Sequence, residues 1–109
     1  MELSAYRFMW VIVMFDLPVD TQVARRHYAQ FRKFLLKDGC SRLQFSVYVR
    51  HSASEENADV HVKRVESRVP PDGEVRILVV TDKQFERMRT FWGKMRKPAP
   101  AAPQQLEFF

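Results

Sequence analysis

The first regular feature of the chain is an almost continuous apolar run at residues 6–15 (YRFMWVIVMF), rich in residues that favour β-structure. A run of this kind predicts a central strand that is covered on one face and nearly covered on the other. Pro18 ends the pattern, because proline cannot donate to a β-ladder and holds Leu17 in an extended conformation. The run leads into Asp16 rather than a small-residue cleavage site, and it is far shorter than the ~20 residues that span a bilayer. We therefore predict a buried first strand in a cytoplasmic protein.

Residues 21–38 show a helical pattern of apolar positions. Asp20 or Thr21 is suited to be the N-cap of this helix, and Gly39 is suited to end it. The apolar side chains recur at the spacing of one helix face, and they are Ala24, Tyr28, Phe31 and Leu35. Basic side chains occupy or flank the other side, and they are Arg25, Arg26, Arg32, Lys33 and Lys37. The pattern predicts a helix with one buried side and one basic, solvent-facing side.

Residues 42–50 (RLQFSVYVR) alternate strictly between two sets of side chains. We expect one face, formed by the apolar set, to join the core, and this set is Leu43, Phe45, Val47 and Val49. The other set faces water, a partner or a ligand, and it is Arg42, Gln44, Ser46, Tyr48 and Arg50. The segment is barely long enough for two strands, so the pattern leaves open whether it forms one strand or a hairpin.

A second helix is predicted after Ser52 and Ser54, which supply its caps, and residues 70–73 (PPDG) end it. Its first turn contains Glu55. Its apolar stripe consists of Ala58, Val62, Val65 and Val69. The elements that remain are a strand at 74–81, one or two helical turns at 83–89 with Asp82 as cap, and a short strand at 90–93.

The order of these elements, β-α-β-α-β with short terminal strands, predicts an α+β sandwich of the ferredoxin type. In this fold an antiparallel sheet carries two helices on one face, and a full unit needs a hairpin between the helices. Three prolines make residues 94–103 a semi-rigid linker, and the apolar end of the chain predicts a docking strand at 104–109. The predicted organisation is a nucleic-acid-binding domain at 1–93, followed by the linker and the strand.

Composition narrows the possible functions. The 109 residues fit one domain, and a formal net charge of +5 suggests a polyanionic partner, although solubility alone also accounts for such a charge. Cys40 is the only cysteine, so no internal disulfide forms, and a small buried hydrophobe is its expected role. The three histidines lack a metal-ligand spacing, and they are His27, His51 and His61.

Four segments, taken together, resemble a known family. The strand end Met14-Phe15-Asp16-Leu17-Pro18 resembles the start of the "Cas two" family, the small CRISPR-associated nuclease that partners the CRISPR integrase. Further similar segments follow in the same order at residues 31–39 (FRKFLLKDG), 42–48 (RLQFSVY) and 81–88 (TDKQFERM). The last is similar to the branch found with single-protein, RNA-guided effector nucleases. The resemblance covers residues 6 to about 93.

The resemblance implies a homodimer of ferredoxin-like subunits whose sheets pack against each other. It implies a role in CRISPR adaptation, where the dimer bridges integrase subunits and holds DNA. It also implies an endonuclease that acts on RNA or DNA with Mg²⁺ or Mn²⁺, in which Asp16 is the metal ligand and catalytic residue near the two-fold axis. Whether cleavage matters in the cell is left open.

Asp16 has two interpretations. Mg²⁺ accepts one or two carboxylates together with water and phosphate, so two Asp16 side chains across a dimer axis would suit it. The alternative is an Asx-type turn in which Asp16 accepts hydrogen bonds from backbone amides before Pro18. Asp20 could also face a metal, but a helix cap is its expected role.

Backbone phosphates are predicted to contact the basic groups of the first helix and the second strand region: Arg25, Arg26, Arg32, Lys33, Lys37, Arg42 and Arg50. A solvated helix face is the alternative. Gln44, Ser46 and Tyr48 are predicted at the dimer interface, with RNA contact as the alternative. The competing functions are a non-catalytic scaffold, a toxin-like ribonuclease, and a ferredoxin-like RNA-binding or regulatory module.

Overall fold

The computed structural model describes residues 7–98 and residue 100. The elements follow in the order β1 (Met9–Asp16), α1 (Gln22–Lys37), β2 (Ser41–Gln44), β3 (Val47–Ser52), α2 (Glu55–Glu66), β4 (Glu74–Thr81), α3 (Asp82–Glu86), β5 (Thr90–Trp92) and β6 (Met95–Lys97). None of the helices in this part of the chain is long and apolar enough to cross a membrane. The strand predicted at 104–109 lies outside the described residues.

Four strands form one sheet in the order β2-β3-β1-β4, and every neighbouring pair is antiparallel. The first six elements therefore make a β-α-β-β-α-β unit, which confirms the predicted ferredoxin-like fold. Strands β5 and β6 form a separate two-stranded sheet. Its second strand occupies the first residues of the segment that was predicted as a linker.

The helix boundaries follow local capping signals. The Thr21 hydroxyl accepts a hydrogen bond from the Ala24 backbone N–H at 3.0 Å, and the Ser54 hydroxyl accepts one from Asn57 at the same distance. Gly39 follows α1 with a φ of +94°, a left-handed conformation that side chains with a Cβ rarely adopt. The prediction that Asp82 caps α3 is wrong, because Thr81 is the N-cap and forms a reciprocal capping box with the third helical residue.

The four-stranded sheet has two different faces. On the helix face, odd-numbered residues of β1 pack against α1 and α2, and this cluster includes Val11, Val13, Phe15, Phe31, Leu35, Tyr48, Ala58 and Val65. On the open face, even-numbered residues of β1 meet α3 at one end, and that cluster consists of Trp10, Ile12, Val49 and Phe85. Two helices thus close one face, while one short helix covers part of the other.

Residues 41–52 form a hairpin, which resolves the alternative left open by the sequence. The turn between its strands consists of Phe45 and Ser46, and Ser46 has a φ of +64° without being glycine. The prediction that Phe45 joins the core is wrong, because 74% of its surface is exposed at this turn. Tyr48 was predicted at the dimer interface and is instead buried on the helix face, with 1% exposed. The reason is its register, since Tyr48 pairs with Val13, whose side chain faces the helices.

Candidate metal site and nucleic-acid interface

Asp16 is the last residue of β1, and its exposed side chain alternates onto the open face of the sheet. Its register partner on β4 is Glu74, which is also exposed. One residue earlier, the Phe15 backbone N–H donates a hydrogen bond of 3.1 Å to the Ser46 carbonyl oxygen in the β2–β3 turn. The backbone that carries Asp16 is therefore held from both neighbouring strands.

Gly73 fixes the loop that lies over this strand end. It adopts a φ of +92°, and a Cβ built on it would lie 2.7 Å from the Asp16 carbonyl oxygen and 2.8 Å from a methyl group of Leu17. Any larger residue would push against the backbone at the point where β1 ends. The turn that ends the second helical segment thus also positions Asp16, a role that the sequence pattern did not reveal.

The residues at this strand end fit a divalent metal ion only in part. Within the described part of the chain there is no group of three or more His, Cys, Asp or Glu side chains that could hold a metal ion. One chain offers the Asp16 carboxylate, a hard oxygen ligand of the kind that Mg²⁺ prefers, whereas the carboxylate of its register partner Glu74 is paired with Arg76 at 2.9 Å. The alternative Asx turn has no support, since no side-chain hydrogen bond of Asp16 occurs within residues 7–98.

The structure distributes the predicted basic residues of α1 over three places. Arg25 turns back towards the β1–α1 loop, where its guanidinium donates to the Val19 carbonyl oxygen at 3.0 Å. A second group shares the outer side of α1, and it consists of Arg26, Arg32 and Lys33. Lys33 and Lys37 also line a groove between α1 and α2. Lys33 belongs to both the outer side of α1 and the groove, so these two places form one basic surface on the helix side of the molecule.

Arg50 does not belong to that exposed surface. Its Nε–H donates a 2.8 Å hydrogen bond to Nε2 of His61, and its guanidinium packs where a side chain on Gly39 would lie. The predicted phosphate-contacting role of Arg50 is thus replaced by an internal one. Arg42 stays exposed on the edge strand β2.

Two basic residues of the groove were missed by the sequence analysis. Arg64 on α2 and Arg68 just after it line the same groove as Lys33 and Lys37. They are four residues apart, so they project from the same side of the helical segment. That spacing was the available signal, but only the apolar stripe of the second helix had been considered.

The covered end of the open face is an aromatic cluster. Trp10 stacks on Phe85 with ring centroids 4.0 Å apart, and its indole N–H donates to an Asp82 carboxylate oxygen at 2.6 Å. His51 packs edge-on against Trp10, and burial lowers the pKa of its imidazole although the Asp82 carboxylate acts in the opposite direction. Gln44 and Ser46, the other predicted interface residues, lie at the far end of the hairpin and are exposed and half-buried, respectively.

The chain is similar to a protein family and to several named proteins. Residues 9–88 match the family described as "CRISPR associated protein Cas2". Three similar proteins, each named "CRISPR-associated endoribonuclease Cas2", come from Parvibaculum lavamentivorans, Flavobacterium psychrophilum and Paracidovorax avenae. Their identities to this chain are 57%, 46% and 45%, over 93%, 99% and 98% of it. The alignments span 100%, 94% and 99% of the three relatives.

Proposed function

This chain belongs to the CRISPR-associated Cas2 family, and on that premise we propose that it is a metal-dependent endoribonuclease in which Asp16 binds the metal ion. The observation that carries the proposal is the position of Asp16, an exposed carboxylate at the end of an otherwise buried strand. The name of the three relatives supports RNA as the substrate class.

Asp16 suits this role because its backbone is fixed while its carboxylate faces solvent. The approach of Gly73 and the hydrogen bond from Phe15 to Ser46 hold the strand end, so little conformational freedom is lost when the side chain binds a cation. A bound Mg²⁺ or Mn²⁺ would polarise the phosphate and lower the pKa of a water molecule. Water and phosphate oxygens supply the remaining ligands, since Mg²⁺ needs few carboxylates.

A homodimer would bring Asp16 of one subunit close to Asp16 of the other. The open face is only partly covered, and Leu78, which pairs with Ile12 there, is 50% exposed. Phe45 lies exposed at the hairpin turn, and Gln44 and Ser46 flank it. A second copy that packed its open face on this one would bury these apolar side chains and bring two carboxylates to one axis.

A role in CRISPR adaptation needs a surface for nucleic-acid backbones. The basic side chains of α1 supply donors that contact phosphates without reading sequence: Arg25, Arg26, Arg32, Lys33 and Lys37. In this proposal the dimer holds a DNA duplex on these residues and bridges subunits of the CRISPR integrase. A location in the cytoplasm, where the DNA is, remains a prediction.

The second candidate function is a scaffold that binds DNA without cutting it. The basic surface lies on the helix side of the sheet, whereas Asp16 lies on the open face. Helix α1 has 16 residues, so its last residue, Lys37, lies about 24 Å along the helix axis from its first residue. The first residue is the one that lies near the end of β1. This separation favours a molecule in which phosphate binding does not depend on Asp16.

The deciding experiment is Asp16→Asn, which removes the charge and keeps the shape of the side chain. We expect Mg²⁺-dependent cleavage of single-stranded RNA to fall by more than about 100-fold, because even outer-shell changes at metal sites cost 10–100-fold. The molar mass from light scattering and the affinity for RNA should stay unchanged. The matched control is Asp20→Asn, an exposed acid in the loop that follows β1.

Equal cleavage by wild type and purified Asp16→Asn would place the activity elsewhere or in a contaminant. Tight duplex binding by a wild-type protein that cleaves nothing in Mg²⁺ or Mn²⁺ would favour the scaffold.

A further inference from the structure

We propose that the groove between α1 and α2 is the site where a nucleic-acid strand lays its phosphodiester backbone, with Arg64 and Arg68 as the principal contacts. The inference rests on the proposed nucleic-acid function and names the surface that carries it out. It adds a second helical segment to an interface that the sequence predicted on α1, β2 and β3.

The groove has the charge that such a ligand requires. It encloses about 720 Å³ and is lined by Lys33, Lys37, Arg64 and Arg68, together with Gln30, Phe34 and Asp38. The carboxylate of Asp38 is the only acidic group in this lining, and its side chain is just 6% exposed. It accepts hydrogen bonds from Arg64 and His61, so its charge is already compensated. The groove therefore offers a strongly positive surface to a polyanion.

Both arginines are held in place before any ligand arrives. One terminal nitrogen of Arg64 donates to Asp38 at 3.0 Å while 57% of the side chain remains exposed. The guanidinium carbon of Arg68 lies 4.9 Å from the centre of the Phe34 ring, a cation–π contact that restrains the guanidinium group. A guanidinium has five N–H donors, so either contact leaves several free for a phosphate. Because ordering a long side chain costs affinity, this arrangement favours binding.

A buried network beneath the groove supports Arg64. Arg50 donates its Nε–H to Nε2 of His61 at 2.8 Å, so the proton of the neutral imidazole lies on Nδ1. That Nδ1–H donates to Asp38 at 2.7 Å. The same carboxylate then accepts from Arg64 through its second oxygen. This series of hydrogen bonds connects β3 to α2 and to the end of α1, and it holds the two helices together. It also positions the Asp38 carboxylate, which in turn orients Arg64.

The shape of the groove favours a strand over a small anion. A second cavity of about 260 Å³ continues it past Ser67 towards Pro70 and Pro71, and the two share Gln30, Phe34 and Arg68. Lys33 connects the groove to the basic outer side of α1. The cations line the first cavity and the outer side of α1, while among the described residues Arg68 is the only Lys or Arg in the lining of the second cavity. A row of cations on this scale matches a backbone that carries a charge at every nucleotide.

The test compares charge-neutral variants of three neighbouring cations. Arg64→Gln and Arg68→Gln, singly and together, are measured against Lys63→Gln, a control on α2 that is 73% exposed and lies outside the groove. Affinity for a labelled DNA duplex and a labelled RNA strand is recorded over a series of KCl concentrations. We expect the double variant to bind about 10-fold or more weakly at low salt. Its salt slope should be smaller by roughly 1.4–1.8, which corresponds to two phosphate contacts.

Arg68→Gln leaves the buried network intact, so it separates lost binding from lost folding. Thermal unfolding followed by circular dichroism checks each variant, and Arg64→Lys should retain part of the affinity because it keeps the charge.

Two outcomes overturn the inference. If the double variant binds like Lys63→Gln while charge reversal at Arg25, Arg26 and Lys33 weakens binding, the nucleic-acid function stands and the groove is not its site. If the wild-type chain binds neither nucleic acid at low salt, both proposals fail.

Discussion

The helix face and the open face of the sheet use side chains from the same strands, yet they are completed differently. On the helix face, alternate residues of β1 such as Val13 are fully buried beneath two amphipathic helices. On the open face, Trp10 and Ile12 are buried near α3, whereas Leu78 on the neighbouring strand is half exposed. The chain thus completes one apolar surface by itself and leaves the other incomplete.

This difference in burial separates the part of the sheet that stabilises the single chain from the part that is available for association. A closed face contributes free energy of folding within one chain, because its apolar surface is removed from water on folding. An incomplete apolar face lowers its free energy only when a partner covers it. Asp16 stands on the incomplete face, and the phosphate-binding groove lies on the outer surface of the helices that complete the other.

The largest effect is expected where the helix face is most completely buried. Leu35→Ala should lower the free energy of unfolding by about 3–5 kcal/mol, since Leu35 is 0% exposed and its loss leaves a cavity between α1 and the sheet. Urea unfolding measures the change. Leu36→Ala, one residue further along the same helix and 43% exposed, is the matched control and should cost far less. Equal costs would mean that the helix does not pack as described.

A charge on the open face should break association rather than folding. In Leu78→Glu, a symmetric dimer would bury two unpaired carboxylates at a cost of at least ~3 kcal/mol, so the dimer dissociation constant should rise by about 100-fold or more. Analytical ultracentrifugation over a dilution series measures it. Val60→Glu places the same charge at an exposed position on α2 and should leave the association intact. A Leu78→Glu protein that stays as dimeric as wild type would show that the open face is not the interface.

Local signals in the sequence were sufficient for the helix face. The apolar run of β1 and the stripe on α1 each depend on a few neighbouring residues, and both were predicted correctly. The cap was narrowed to Asp20 or Thr21, and the structure selects Thr21. The β2–β3 hairpin was not resolved, because its turn at Phe45 and Ser46 contains no glycine or asparagine and the alternation continues through it. Without the register, the side of Tyr48 could not be assigned, since both faces of the sheet are apolar.

The features of the candidate site also fall into two groups: those that local sequence signals reveal and those that depend on contacts between distant residues. Asp16 was predicted as the metal ligand because it ends a strand and because the segment around it resembles the family, and both of these are local features. The approach of Gly73 to its carbonyl and the meeting of Arg64 with Lys33 depend on contacts between residues far apart in the chain. Arg50 was assigned to phosphate binding because no pattern in its own strand reveals that His61 will lie beside it.

The two faces should respond to pH in different ranges. The stability contributed by the helix face should be lost at alkaline pH. Burial, with a smaller contribution from Asp38, raises the pKa of the Cys40 thiol on the helix face from 9.0 to about 11. The unfolded chain releases this proton first, so the contribution is intact below pH 9 and is lost as the pH rises through about 11. The loss should reach roughly 2 kcal/mol by pH 11, measured as the difference in unfolding free energy between wild type and Cys40→Ala. Parallel alkaline profiles for the two proteins would contradict the assignment.

At the acid end, the open face should respond through His51. Its ring packs against Phe8 and Trp10, and its Nε2 has no hydrogen-bond partner within the described residues, so burial disfavours the charged form. A carboxylate oxygen of Asp82 lies 3.9 Å from that nitrogen and favours the charged imidazole, whereas the positive charge of Arg50 disfavours it. Burial has the largest effect, so the pKa of His51 is lowered from 6.5. With the folded pKa below the unfolded one, the stabilisation is complete above pH 6.5 and is lost as the pH falls through the folded value. His51→Gln should therefore flatten the decline in unfolding temperature between pH 7.5 and pH 5. A decline of the same steepness in His51→Gln would place the acid sensitivity in other groups.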